Sequence, residues 1–152
     1  MNVKASLSPD DVARACAEAM WADDDAARGL GIELLEIKPG EATLAMTVRA
    51  DMVNGHRIAH GGFIFTLADS AFAFACNSRN ERAVAAHCQI SFIRPARLGD
   101  RLVAVAREIS RSGRSGIYDV RVTASDEVIA EFRGHSRTVA GNWLPESETK
   151  QQ

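Results

Sequence analysis

The chain has no run of apolar residues that matters to a bilayer. Its longest, Ala71 to Cys76, is far short of the roughly 18 residues that a spanning helix needs. The first residues, Met1-Asn2-Val3-Lys4-Ala5-Ser6, lack the apolar core of a secretory signal. Cysteine is scarce: Cys16, Cys76 and Cys88 form an odd set without C-x-x-C spacing, which argues against a disulfide framework and a structural zinc site. All three read as small core fillers in a reducing cytoplasm. An excess of one charge is lacking too: 18 Lys and Arg against 20 Asp and Glu leave a net charge of −2 and a pI near 6.1. Nucleic-acid binding would call for a clear basic surplus. No Gly-x-Ser-x-Gly elbow and no His-Glu-x-x-His appear, so the usual marks of a serine nucleophile and of a zinc hydrolase are missing.

What remains is an ordinary globular composition, 46% hydrophobic and 25% charged over 152 residues. It fits one domain spanning residues 1–152, with 1–7 and 145–152 expected to fray. Ser8-Pro9-Asp10-Asp11 is a helix start, with a capping hydroxyl, a proline at the first turn and acids at the positive end. The spacing predicts one helix to Arg28, ended by Gly29 and Gly31, with Asp23-Asp24-Asp25 as a solvated face. Five strands are predicted: Ala42 to Arg49, Val84 to Phe92, Leu102 to Ile109, Tyr118 to Ala124 and Val128 to Phe132. Most alternate apolar and polar residues, the mark of a sheet with one buried face. Short turns such as Ser112-Gly113 and Ser125-Asp126 suit antiparallel neighbours.

The segment from Phe63 to Asn77 predicts a helix that is apolar around most of its circumference and therefore buried. An antiparallel sheet with one such helix suggests that the sheet curls around it. The polar residues of the helix, Thr66, Asp69, Ser70 and Asn77, fall on one stripe with Ala73. A carboxylate there is costly unless paired, hydrogen-bonded or wetted. The stripe faces solvent, or Asp69 meets an arginine, or Asp69 is a general base in a cleft.

Before the helix comes Asn54-Gly55-His56-Arg57-Ile58-Ala59-His60-Gly61-Gly62, a polar, glycine-rich approach. The N–H groups at such a helix start polarise a carbonyl as it becomes an oxyanion. Asp69 lies eight residues past Gly61, about 12 Å along the axis, too far for both to act on one carbonyl. The mismatch predicts a site shared between two copies. His56 and His60 have His-x3-His spacing, but the glycine pair favours a loop over a metal-binding helix. His87 and His135 fall on polar strand faces as surface or interface residues. Arg111 and Arg114 flank a hairpin turn and could meet a phosphate.

Several motifs together, Asn54-Gly55-His56, His60-Gly61-Gly62, Leu67-Ala68-Asp69-Ser70, Ile90-Ser91-Phe92-Ile93-Arg94-Pro95 and Gly116-Ile117-Tyr118-Asp119-Val120, resemble the hotdog-fold acyl-CoA thioesterases of the phenylacetic-acid-degradation (PaaI) type. The resemblance implies an α+β hotdog fold, a curled antiparallel sheet wrapped around the central helix. It also implies a homodimer with two interface sites, a tetramer of two dimers, and hydrolysis of aryl-acetyl or hydroxylated aryl-acetyl-CoA. Asp69 would activate or orient the water, the Gly61 amide would polarise the thioester carbonyl, Asn54 would assist there, and His60 would support the loop or the thioester. Gly62 and Phe63 would adjoin the substrate, with Arg94 and Arg114 near the coenzyme A phosphates. Met20, Trp21, Phe63 and Phe72 are candidates for the acyl pocket. No metal or cofactor is implied; coenzyme A is part of the substrate. Some relatives place a Ser or Thr on the strand after the helix to hold the water. Here Ala83 to His87 offers no hydroxyl, which leaves His87, Ser70 or Asp69 alone for the task. A non-catalytic acyl-CoA-binding module and an enoyl-CoA dehydratase are the rival readings.

Overall fold

The computed structural model describes residues 6–145. The expected fraying of residues 1–5 and 146–152 lies outside them. Helix α1 spans Pro9–Ala22 and opens on a reciprocal cap: Asp11 N–H donates to the Ser8 hydroxyl, and Ser8 N–H to the Asp11 carboxylate. The predicted single helix to Arg28 is in fact two. Asp23 caps the C-terminus of α1, and Asp24 accepts from Ala27 N–H to start α2, Asp25–Gly29. The triple aspartate is thus a break, because side chains that bond nearby backbone favour caps over helix interiors.

Six strands follow: β1 Glu33–Lys38, β2 Glu41–Thr47, β3 Ala83–Phe92, β4 Arg101–Ser112, β5 Ser115–Ala124 and β6 Glu127–Thr138. They form one antiparallel sheet in the order β1-β2-β4-β5-β6-β3. The predicted five strands are all present. The missed sixth is β1, where a register irregularity between Leu34 and Glu36 spoils the period-two pattern.

Between β2 and β3 the chain forms helix α3, Gly61–Cys76, which starts two residues before the predicted Phe63. It packs against every strand of the sheet. Ile64, Leu67, Ala68, Ala71, Phe72, Phe74 and Ala75 are buried on it. Small residues opposite, Ala42, Ala104, Ala106 and Ala130, leave room for its aromatic rings. Phe72 is 1% exposed and lies among Tyr118 and Phe132, with ring centroids 5.6 and 5.8 Å away. It is core and not pocket wall. Trp21 packs on Phe74, and Met20 on the core edge.

Asn77, expected on the polar stripe, is buried instead. Its amide donates to the Ala73 and Ala83 carbonyls and accepts from Ala83 N–H and the Trp143 indole. This ties the end of α3 to the start of β3, so the two elements keep a fixed alignment. Within the sheet, Glu108 accepts from Arg79 and from the Tyr118 hydroxyl. Gly134 leaves space for Phe72: a Cβ there would stand 2.8 Å from the ring. Gly134→Ala is therefore expected to destabilise the fold by about 1–3 kcal/mol, the usual cost of overpacking, read as a lower urea midpoint at unchanged slope.

Candidate active site

The approach to α3 is a closed loop. Asn54 N–H donates to Ile58 O (2.9 Å), Arg57 N–H to Asn54 O (2.9 Å) and Ala59 N–H to Ala96 O (2.7 Å). The Asn54 side-chain oxygen accepts from His56 and Ile58 N–H, so that oxygen shapes the turn. His60 N–H is held by Met52 O at 2.8 Å. His60 is the N-cap of α3, and its Nδ1 accepts from Gly62 N–H at 2.9 Å. The two glycines thus belong to the first helical turn rather than preceding it. The Gly62 donor is committed to His60, whereas Gly61 N–H has no acceptor among the described residues. Of the two candidate glycine donors, only Gly61 is left to serve a carbonyl. Phe63 stands edge-on to the His60 ring, with centroids 6.1 Å apart. His56 is exposed on the loop. Among the described residues no three His, Cys, Asp or Glu side chains converge as a metal site.

Asp69 lies two turns further along α3 and is half-buried. No cation reaches it: none of the ion pairs among the described residues includes Asp69. Its one side-chain hydrogen-bond partner there is the Cys88 thiol, 3.9 Å away on β3. Burial pushes the Asp69 carboxyl above its ordinary value, and the thiol pulls it partly back. The Cys88 thiol is itself raised by burial and by the nearby carboxylate. Cys76, at the end of α3, is pushed up to about 12, chiefly by burial.

Cys88 is the residue missed in the sequence, where it reads as filler. Its signal is strand phase: it shares the face of β3 that looks toward α3, whereas His87 must look away. His87 instead stands 5.5 Å from His135, ring to ring, so it does not substitute for the absent hydroxyl. Thr66 donates to Gly62 O, and Ser70 makes no side-chain bond to Asp69 among the described residues.

The two phosphate candidates are separated. Arg94, just past β3, donates to Val128 O at 3.1 Å. Arg114 sits at the β4–β5 turn, where its carbonyl accepts from Thr138 N–H, and Thr138 pairs with Ala83 at the far end of β3. Arg111 is bonded to Glu81. A groove of about 560 Å³ between α1 and β1, lined by Trp21, Leu34, Leu35 and Ile37 among others, contains none of Asp69, Gly61 and Asn54. The chemically distinctive groups thus lie outside that groove, along β3, whose residues are mostly exposed.

A curled antiparallel sheet around one central helix, with a carboxylate inside and glycines at the helix start, defines the hotdog class. The sequence profile of the thioesterase superfamily matches residues 56–131, and the chain belongs to that family. It is 44% identical to acyl-coenzyme A thioesterase PaaI of Escherichia coli over 82% of this chain and 90% of the relative. The solved structure of E. coli PaaI, from the phenylacetic acid degradation operon, superposes with a TM-score of 0.87 at 41% identity, covering 89% of this chain and 99% of that one. A mutant structure of the phenylacetic acid degradation protein PaaI of Thermus thermophilus matches with a TM-score of 0.73 at 42% identity, over 74% and 97%.

The Asp69–Cys88 contact makes a signed prediction. A thiol that donates to the carboxylate favours its charged form. Cys88→Ala should therefore move the acid limb of the rate profile to higher pH, and Cys88→Ser, a stronger donor, should move it lower. A pH series of kcat/KM on the three proteins checks both directions.

Proposed function

We propose that this protein hydrolyses acyl-CoA thioesters, with aryl-acetyl and hydroxylated aryl-acetyl groups such as phenylacetyl derivatives as the favoured acyl class. The observation that carries the reading is a half-buried Asp69 that has no counter-ion among the described residues, on a helix whose first amide, Gly61 N–H, has no acceptor among them. Asp69 takes a proton from water, or orients it, as it attacks the thioester carbonyl. The Gly61 N–H stabilises the oxyanion that develops, and Asn54 assists at the carbonyl. His60 fixes the turn through Gly62. Collapse of the intermediate expels the coenzyme A thiolate. Phe63 adjoins the acyl group, and the exposed Arg94 and Arg114 are available to the coenzyme A phosphates. The reading calls for no metal or cofactor. The whole chain serves as one hotdog domain.

The names of the relatives support the acyl-CoA class, and their phenylacetic acid context favours an aryl-acetyl group. Asp69 and Gly61 stand about 12 Å apart along one helix, so we take the working unit to be a homodimer with two shared sites, two such dimers forming a tetramer. No helix among the described residues is long and apolar enough to cross a membrane. With three unpaired thiols, the cytoplasm suits the chain.

The dehydratase alternative wants a histidine facing the acid, and Asp69 faces a thiol. The binding-module alternative gives no reason to bury an unpaired carboxylate, which lowers stability.

The test is Asp69→Asn. Thiol release from phenylacetyl-CoA should fall by about 10²–10⁴-fold, the usual contribution of a general base. Stability should not fall with it. A carboxyl raised in the folded state is destabilising while charged, most strongly above its folded pKa, so removing the charge is expected to leave the melting temperature at pH 8 unchanged or higher. Undiminished turnover by this variant would reject the assignment.

A further inference from the structure

β6 alternates regularly where it borders β3. Phe132, Gly134 and Ser136 are buried on the inner face, while Arg133, His135 and Arg137 take the outer one. On β3 the register shifts between Ala85 and His87, so Ala86 is an extra residue in the strand. Such a bulge interrupts the ladder and re-aims the side chains beside it. His87 comes to stand directly opposite His135, on the face turned away from Asp69 and Cys88. The two rings are 5.5 Å apart between centroids, with their planes at 75°. His87 is exposed and His135 half-buried, which leaves the broad χ2 rotation of an imidazole open to both.

The neighbouring groups do not occupy either ring. On the same face Arg133 is bonded to Asp119, and Arg121 to Glu131. Gln89 follows two residues along β3, and uncharged Ile117 lies opposite His135 on β5. Neither His87 nor His135 has a side-chain hydrogen-bond or ion-pair partner among the described residues. Arg137, two residues from His135, is exposed, and solvent screens its charge. Two neighbouring imidazoles with free nitrogens are ligands for zinc and its late first-row neighbours. With metal–nitrogen bonds of about 2.1 Å and a tetrahedral angle of about 109°, two imidazole centroids lie about 5.3 Å apart. At the right angle of a square-planar site they would lie about 4.6 Å apart. The spacing across β3 and β6 is that of the tetrahedral pair.

We propose that His87 and His135 form a two-nitrogen chelate for a divalent ion of the zinc class, with water completing its tetrahedron. The ion joins edge strand β3 to β6 at the bulge, where the ladder is interrupted. Its role is structural: it lies across the sheet from Asp69, and hydrolysis takes no step through it. Two protein ligands hold zinc less tightly than a closed four-ligand site, so occupancy follows the free zinc concentration, and stability rises with occupancy.

Equilibrium dialysis against micromolar zinc chloride at pH 7.5 reads the site. The unaltered protein is compared with His87→Gln, His135→Gln and the double variant. The three free thiols are common to all four proteins, so any zinc they hold cancels in the comparison. The unaltered protein should bind about one zinc ion per chain more than any variant. A ligand counts for at least as much as the groups behind it, so each single variant should lose affinity by about tenfold or more. The double variant should lose little beyond either single one, because the two rings act as a unit. Zinc should raise the melting temperature of the unaltered protein alone, and the gain should vanish at pH 5, where protonated imidazole does not ligate. Without metal, all four proteins should melt together, since both positions lie outside the core. Equal zinc uptake by all four proteins puts the ion elsewhere and overturns the proposal. A loss confined to one of the two histidines overturns it as well, because a single contact is not a chelate.

Discussion

A carboxyl group on an apolar helix is the constraint around which the other features arrange themselves. Most of the circumference of α3 serves the core, and the sheet curls to cover it. The face carrying Asp69 is the part that the sheet leaves incompletely covered. In a purely structural helix, that position would take alanine or leucine, or the acid would be matched with arginine. Here its side-chain hydrogen-bond partner among the described residues is a thiol, a weak donor that leaves the carboxyl raised. A carboxyl raised in this way is more basic than a solvated aspartate, which suits a group that must take a proton from water.

The same helix carries the electrophilic end of the chemistry. Its N-terminus is held by His60, whose ring satisfies Gly62 and leaves Gly61 unsatisfied. Phe92 lies so close to Gly61 that a side chain there would collide. Glycine at this position therefore answers a steric demand as well as a chemical one. The alignment of α3 with β3 is locked at the opposite end by Asn77, so the separation of donor and acid is a fixed property of the fold.

Much of this was legible in the sequence, because the two periodicities that define helix and strand were clean where the core is. The all-round apolar stretch could only be a buried helix, and its single acid stood out. Legibility failed where local chemistry competes with period. Three consecutive aspartates resemble a solvated helix face, yet two of them end one helix and begin the next. β1 carries an irregular register beside Leu34-Leu35, so neither alternation nor a continuous apolar run marks it. Cys88 was hidden for a different reason. Its apolar phase placed it correctly on the inner face, but a cysteine on an inner face reads as packing until the helix residue opposite is known. That residue depends on the direction of α3 along β3, which sequence periodicity does not contain. His87 looked like the replacement for a missing hydroxyl because it was nearby in the chain, whereas strand geometry sends neighbouring residues to opposite faces.

Pairing of two copies would complete the electrostatic logic as well as the geometry. Within one chain, Asp69 keeps part of its hydration, and its carboxyl is raised by partial burial alone. A second subunit brought over Asp69 would remove more of that water, and desolvation would act in the same direction. In the shared-site reading it would also supply its own helix-start amide to the carbonyl under attack. The base would become stronger as the oxyanion donor arrived, so catalytic competence and association would be linked through one seam. On that reading, the incomplete cover over Asp69 within one chain is the opening that a second copy would close.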